Sequence, residues 1–109
     1  MILGIDLGTS GLKCVVANHN EKIILSTSVK LNVHQFNGNC FEQNPDDWIN
    51  ALEKCLNNLK KQDLKFSKID AISFSAQMLG CIIVDKNDIP IRPAILWNDG
   101  RSSEESEYL

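Results

Sequence analysis

Ile5-Asp6-Leu7-Gly8-Thr9-Ser10-Gly11-Leu12-Lys13 is the stretch on which the reading of this chain turns. An apolar run from Met1 to Ile5 ends on the carboxylate of Asp6, which predicts a strand over residues 2–6. A short turn with two glycines and two hydroxyl side chains follows, and a second strand is predicted over residues 11–18. Gly8 and Gly11 have no side chain to block a close approach, so backbone N–H groups and the hydroxyls of Thr9 and Ser10 can meet phosphate oxygens. Lys13 adds a cation nearby. Asp6 can hold a magnesium ion through its waters, because that ion prefers oxygen ligands and keeps much of its hydration. Together these parts suit a nucleoside triphosphate. The competing reading is an ordinary hairpin whose Gly and Ser serve only the turn. Against it stands the Asp at the end of an apolar strand, where that residue is depleted. The stretch is neither a P-loop nor a dinucleotide fingerprint: no GKS or GKT follows, and the turn leads into a strand instead of a helix.

The surrounding composition narrows the class. A chain of 109 residues, 43% of them hydrophobic, supports at most one small domain with a modest core. Its formal charge of −3 gives no basic footprint, so no nucleic-acid partner is expected. No run of about 18 apolar residues exists to span a membrane. Met1 to Ile5 is too short for a secretory leader, and a cytoplasmic protein is expected. Cys14, Cys40, Cys55 and Cys81 are widely spaced, without a CxxC pair or nearby His, which argues against a zinc site or a disulfide framework. All four are read as reduced thiols, and His19 and His34 as solvated or locally bonded side chains.

Outward from the opening hairpin, a third strand is predicted over residues 22–33, after the polar turn Asn18-His19-Asn20-Glu21. Residues 34–43 read as irregular. A helix then begins: Asn44 can cap it, Pro45 suits its first position, and Asp46 and Asp47 favour the positive end of its dipole. Trp48, Leu52, Cys55, Leu56 and Leu59 share one face, and the pattern fades between Lys60 and Asp63. Ile69 to Ser75 is predicted as a buried fourth strand. Cys81–Val84 and Ile89–Ile91 read as a small hairpin around Asp85-Lys86-Asn87-Asp88, with Pro90 and Pro93 keeping its second half at an edge. Ser102 and Glu105 match a capping box opening a last helix. One full helix leaves a sheet of this size with a poorly covered face, so the chain is expected to be the beginning of a longer protein.

Two later segments can carry chemistry. Ser75-Ala76-Gln77-Met78-Leu79-Gly80 directly follows the fourth strand, and ligands of open α/β sheets gather beyond strand ends; a plain loop is the alternative. Pro93-Ala94-Ile95-Leu96-Trp97-Asn98-Asp99-Gly100-Arg101 combines an aromatic ring, able to cover a sugar face, with side chains that bond hydroxyls. Trp97 as a core residue and Asp99-Gly100 as a simple turn is the competing reading.

Taken together these segments resemble the N-terminal part of FGGY-family carbohydrate kinases, with xylulose kinases closest. The matching residues are Gly4-Ile5-Asp6-Leu7-Gly8-Thr9-Ser10-Gly11, Glu42-Gln43-Asn44-Pro45, Gln77-Met78, and Arg92-Pro93 running through Ala94-Ile95-Leu96-Trp97-Asn98-Asp99-Gly100-Arg101. The resemblance implies an α/β chain with a mixed sheet and helices. It would be the ribonuclease-H-like, actin-like ATPase N-terminal subdomain, incomplete here, with residues 1–109 forming the front portion of the first of two domains. It further implies ATP-dependent phosphorylation of a sugar hydroxyl, D-xylulose first, with ribulose, gluconate or glycerol as alternatives. A non-catalytic ATP-binding or partner-binding fragment of actin-like fold is the reading from another class. By this resemblance Asp6 helps position magnesium, through water, and the transferred group. Gly8, Thr9, Ser10, Gly11 and Lys13 lie near the phosphates of ATP. Gln77, Met78, Leu79, Trp97, Asn98 and Asp99 are the sugar-side residues, the last three lining or supporting the pocket. The family's catalytic base lies downstream of this segment, which alone is expected to be inactive. Leu79 stands where xylulose kinases usually have His, a departure that bears on the sugar. No nucleic-acid or membrane partner is implied, and a homodimer is admitted for the full-length protein.

Overall fold

The computed structural model describes all residues, Met1–Leu109, and divides into two compact units. The first comprises Met1–Leu31 and Asp46–Gln77, the second Asn32–Pro45 and Met78–Leu109.

The first unit is a four-stranded sheet crossed by a helix. β1 (Ile2–Leu7), β2 (Gly11–Ala17) and β3 (Ile23–Lys30) form an antiparallel meander, and β6 (Ala71–Ala76) pairs in parallel with β1, giving the order β3-β2-β1-β6. The two-residue period of a strand sets the faces: Leu3, Ile5, Leu12, Cys14 and Val16 point inward and are buried, while Gly4, Asp6 and Lys13 take the intervening positions. α1 (Pro45–Lys61) carries Asp46 and Asp47 in its first turn and Lys60 and Lys61 in its last, both favourable to its dipole. It buries Ala51, Cys55 and Leu59 in the same core, with Trp48, Leu52 and Leu56 packed partly against it. The expected apolar face is therefore right, with Ala51 added to it.

Two expectations fail in this unit. β3 ends at Lys30, short of residue 33, because its partner β2 begins at Gly11; Leu31 N–H to the Ser10 carbonyl, at 3.0 Å, is the last bond in that register. More consequentially, β6 is not buried: all six of its residues are exposed, Phe74 at 71%. Its position explains this, since β6 is the outer strand beyond β1 and the described core contains none of its residues.

The second unit is built on β4 (His34–Phe36), β5 (Cys40–Gln43) and β7 (Ala94–Ile95), in the order β4-β5-β7. Residues 34–43, read as irregular, are thus a hairpin. Its turn places Asn37 at φ 49° and Gly38 at φ 80°, the left-handed pair that Asn-Gly supplies at little steric cost. The segment around Asp85 does fold back: Asp85 N–H donates to the Ile89 carbonyl at 2.8 Å and Ile91 N–H to Ile83 at 3.0 Å. It forms only isolated bridges, Val84 with Pro90 and Cys81 with Ile95, instead of continuous strands. α2 (Ser103–Tyr108) starts where expected, yet the Ser102 side chain makes no capping bond, so the capping box is not formed.

All four cysteines are free, Cys14, Cys40 and Cys55 buried and Cys81 exposed. Burial, and then Cys55 beside it, pushes the Cys14 thiol up to about 12. No helix is long and apolar enough to cross a membrane.

Candidate functional site

The candidate residues fall into both units. In the first, the β1–β2 connection is a tight loop closed by Gly8 N–H donating to the Gly11 carbonyl at 3.0 Å. None of its residues has a positive φ, so it is not one of the primed turns that ordinary two-residue hairpins favour. Gly8 N–H is thus used within the loop. Gly11 answers to packing: a Cβ there would lie 2.9 Å from the Val29 carbonyl oxygen, too close for any side chain. Thr9 and Ser10 remain at the tip.

Asp6 is exposed near the end of β1, opposite Lys13 on β2 and beside Ser75 on β6 in the strand register. Gly4, Asp6, Lys13, Ser73 and Ser75 line a shallow groove of about 210 Å³ on that face of the sheet. Beyond β6, Gln77 N–H continues the ladder to the Leu7 carbonyl at 2.8 Å. Its side-chain oxygen accepts the Thr9 hydroxyl at 2.9 Å, tying the turn to the end of β6. The structure thus brings together Asp6, Lys13, Thr9 and Gln77 around one sheet end. No three His, Cys, Asp or Glu side chains converge into a metal cage. A single exposed carboxylate nonetheless fits magnesium, which typically takes one or two carboxylates and completes its shell with water and phosphate oxygens.

In the second unit, Cys81 exchanges both backbone hydrogen bonds with Ile95, at 2.8 and 3.0 Å, which lays the Met78–Gly80 segment beside the strand leading to Trp97. Met78 and Leu79 are exposed, Leu79 at 90% and with a φ of 61°, a left-handed backbone that a Leu rarely adopts. Trp97 is 59% exposed, so the core reading of this ring does not hold. Asn98 is exposed beside it.

Asp99 differs from these. Its side chain is 2% exposed. Oδ1 accepts Arg101 N–H at 3.0 Å and Nε–H at 2.7 Å; Oδ2 accepts Phe41 N–H at 2.6 Å and Arg101 Nη2 at 2.8 Å. The Arg101 hydrogen bonds, followed by those from backbone N–H groups, hold its carboxyl far below the usual carboxylate range despite burial. Arg101 is held charged in turn by Asp99 and Glu42. Glu42, Arg92 and Arg101 were not singled out from the sequence as site residues. The one available signal was their membership of the matching motifs, and the contacts among them span 50 residues or more of chain.

The sequence profile described as "FGGY family of carbohydrate kinases, N-terminal domain" matches residues 1–109. A xylulose kinase of Staphylococcus epidermidis is 42% identical over 104 residues, covering 94% of this chain and 21% of that protein. A gluconokinase of Bacillus subtilis is 34% identical over 101 residues, covering 93% of this chain and 20% of the relative. The crystal structure of a xyloylose kinase from Brucella ovis superposes with a TM-score of 0.93 at 36% identity, over 97% of this chain and 22% of that one. The chain therefore spans about a fifth of the length of the relatives it matches. The fold is an incomplete N-terminal subdomain of the ribonuclease-H-like, actin-like ATPase type, and the chain belongs to the FGGY family of carbohydrate kinases.

Proposed function

We propose that the full-length protein carrying this segment transfers the γ-phosphoryl group of ATP to a hydroxyl of D-xylulose, giving D-xylulose 5-phosphate. Residues 1–109 are the front portion of its first domain in this reading. The observation that carries it is the exposed Asp6 at the end of β1, beside a hydroxyl-bearing turn whose Thr9 is bonded to Gln77. Phosphoryl transfer demands positioning and charge stabilisation more than covalent chemistry from the protein. Asp6 holds magnesium through its waters, Ser10 and Lys13 meet phosphate oxygens, the Thr9 hydroxyl fixes the turn by donating to Gln77, and Gly8 and Gly11 let the turn close. Bound magnesium supplies neutralisation of the charge on the transferred group. On the sugar side Trp97 covers an apolar face, while Asn98 and the Gln77–Leu79 segment meet hydroxyls.

The choice of sugar leans on likeness to xylulose kinases. Gluconate is the second reading, favoured by the gluconokinase relative; Leu79, whose apolar side chain cannot pair with a hydroxyl, bears on the sugar without selecting one.

ADP release from MgATP by the full-length protein, with D-xylulose, D-ribulose, gluconate and glycerol in turn, tests both. Stimulation by D-xylulose above all others is expected. A response to gluconate alone moves the substrate and keeps the kinase; silence with every polyol overturns the kinase reading.

A further inference from the structure

We infer that Glu42 is a positioning residue for the sugar, holding rigid the turn that presents Trp97 and Asn98; the inference rests on the kinase reading above. Glu42 sits on β5 and is only 8% exposed. A carboxylate so buried is tolerated when it is paired. Its Oε1 accepts Arg92 Nη2 at 2.6 Å and lies 2.9 Å from Arg101 Nη2. Arg101 also forks onto Asp99 and lies over the Phe36 ring, its Cζ 5.6 Å from the centroid. Two carboxylates and two guanidiniums make the cluster electrically neutral.

This cluster sits directly beneath one turn of chain. Leu96 N–H donates to the Phe41 carbonyl at 3.0 Å, and Gly100 N–H to the Asn39 carbonyl at 2.8 Å, so both ends of the turn are fastened to the β5 strand or the residue preceding it. Asp99 N–H closes the turn onto the Leu96 carbonyl at 3.1 Å. Trp97 and Asn98 lie at its exposed crest. An ionised carboxylate offers about four lone-pair sites, and Asp99 has four donors already, so it has no acceptor capacity left for a sugar hydroxyl. Asp99 accordingly supports the crest from below, and Trp97 and Asn98 are the side chains of the turn that face solvent.

A buried ion cluster is a poor means of adding stability, since well-packed apolar residues do as well or better. Its distinctive contribution is fixed geometry: fork-shaped guanidiniums hold carboxylates at set distances and angles. Glu42 is the member that joins both arginines, so neutralising it leaves an unbalanced positive charge under the turn.

The test uses the full-length kinase with Glu42→Gln and, as a milder change at a half-exposed partner, Arg92→Gln. Glu42→Gln is expected to raise the sugar KM about tenfold and Arg92→Gln about threefold, with kcat within about twofold of wild type. The ATP KM stays at its wild-type value in both. Should Glu42→Gln fail to fold, Arg92→Gln decides alone. A sugar KM within twofold of wild type in the folded variants overturns the inference while leaving the kinase reading intact. Equal rises in sugar and ATP KM overturn it too, since they mark general loosening. A wild-type protein that phosphorylates no polyol removes the kinase reading and this inference with it.

Discussion

In the first unit α1 lays Ala51, Cys55 and Leu59 against the inner residues of β1 and β2, whereas the second unit closes strands of two to four residues around Glu42, Asp99 and two arginines. The first is held by apolar burial, which is insensitive to exact angle and tolerates small shifts. The second buries only Cys40, Ala94 and Leu96 among its apolar residues and relies on directional bonds. The difference follows what each region presents. A twisted sheet with a helix across it displays strand ends, and it needs only to be solid. A solvent-facing turn carrying Trp97 has no core of its own, so its shape has to be imposed by hydrogen bonds from beneath.

The comparison breaks most visibly if the apolar side is attacked. Leu59 is fully buried, and Leu59→Ala is expected to cost about 2–5 kcal/mol, most of what holds a small unit together. Hydrogen exchange should then show lost protection across β1, β2 and α1; loss confined to residues 34–43 and 94–101 would invert the assignment of forces.

The ionic side is separated from the apolar side by pH. The Asp99 carboxyl lies below its unfolded value, so its stabilisation is complete above the ordinary aspartate range near 4 and is lost as pH falls through the lower folded value. Protection of the Phe41 and Arg101 amides, followed by NMR on acid titration, is expected to persist at pH 4 and collapse only at more acidic pH. Asp99→Asn should abolish that acid step and weaken both amides at neutral pH. An unchanged profile in Asp99→Asn would show that the network does not hold the turn.

Much of the first unit is legible in the sequence because its forces are local and periodic. The apolar run from Met1 to Ile5 and the apolar residues from Leu12 to Ala17 announce strands, and Trp48 through Leu59 announce the helix that packs against them. The exposure of Ile72 and Phe74 is not legible, because an apolar strand reads the same whether or not something lies over it. In the second unit Asn37-Gly38 was a hairpin signal that the surrounding polar residues obscured. The pairing of Glu42 with Arg92 and Arg101 depends on the distant segments of chain being brought together, which no spacing rule anticipates. Asp99 carries the same lesson: its residue type suits sugar recognition, and only the count of its donors shows the carboxylate already saturated.

The smallest expected effect sharpens the comparison at its boundary. Leu79 pays for a left-handed backbone at φ 61°, and Leu79→Gly should recover about 0.5–1 kcal/mol after the entropy of glycine is subtracted. Thermal unfolding at pH 7 measures it. A destabilised variant would mean that the Leu79 side chain, 90% exposed though it is, contributes packing that outweighs its strain.

The distribution of the four thiols makes the molecule its own stopwatch. Cys81 is open to solvent, while Cys14 and Cys55 are sealed under α1 with their thiols held protonated by burial. A thiol-specific label at neutral pH should therefore mark Cys81 at once. It should reach Cys14 and Cys55 only during moments when helix and sheet part, and the lag between the two events times the breathing of the first unit without any engineered probe.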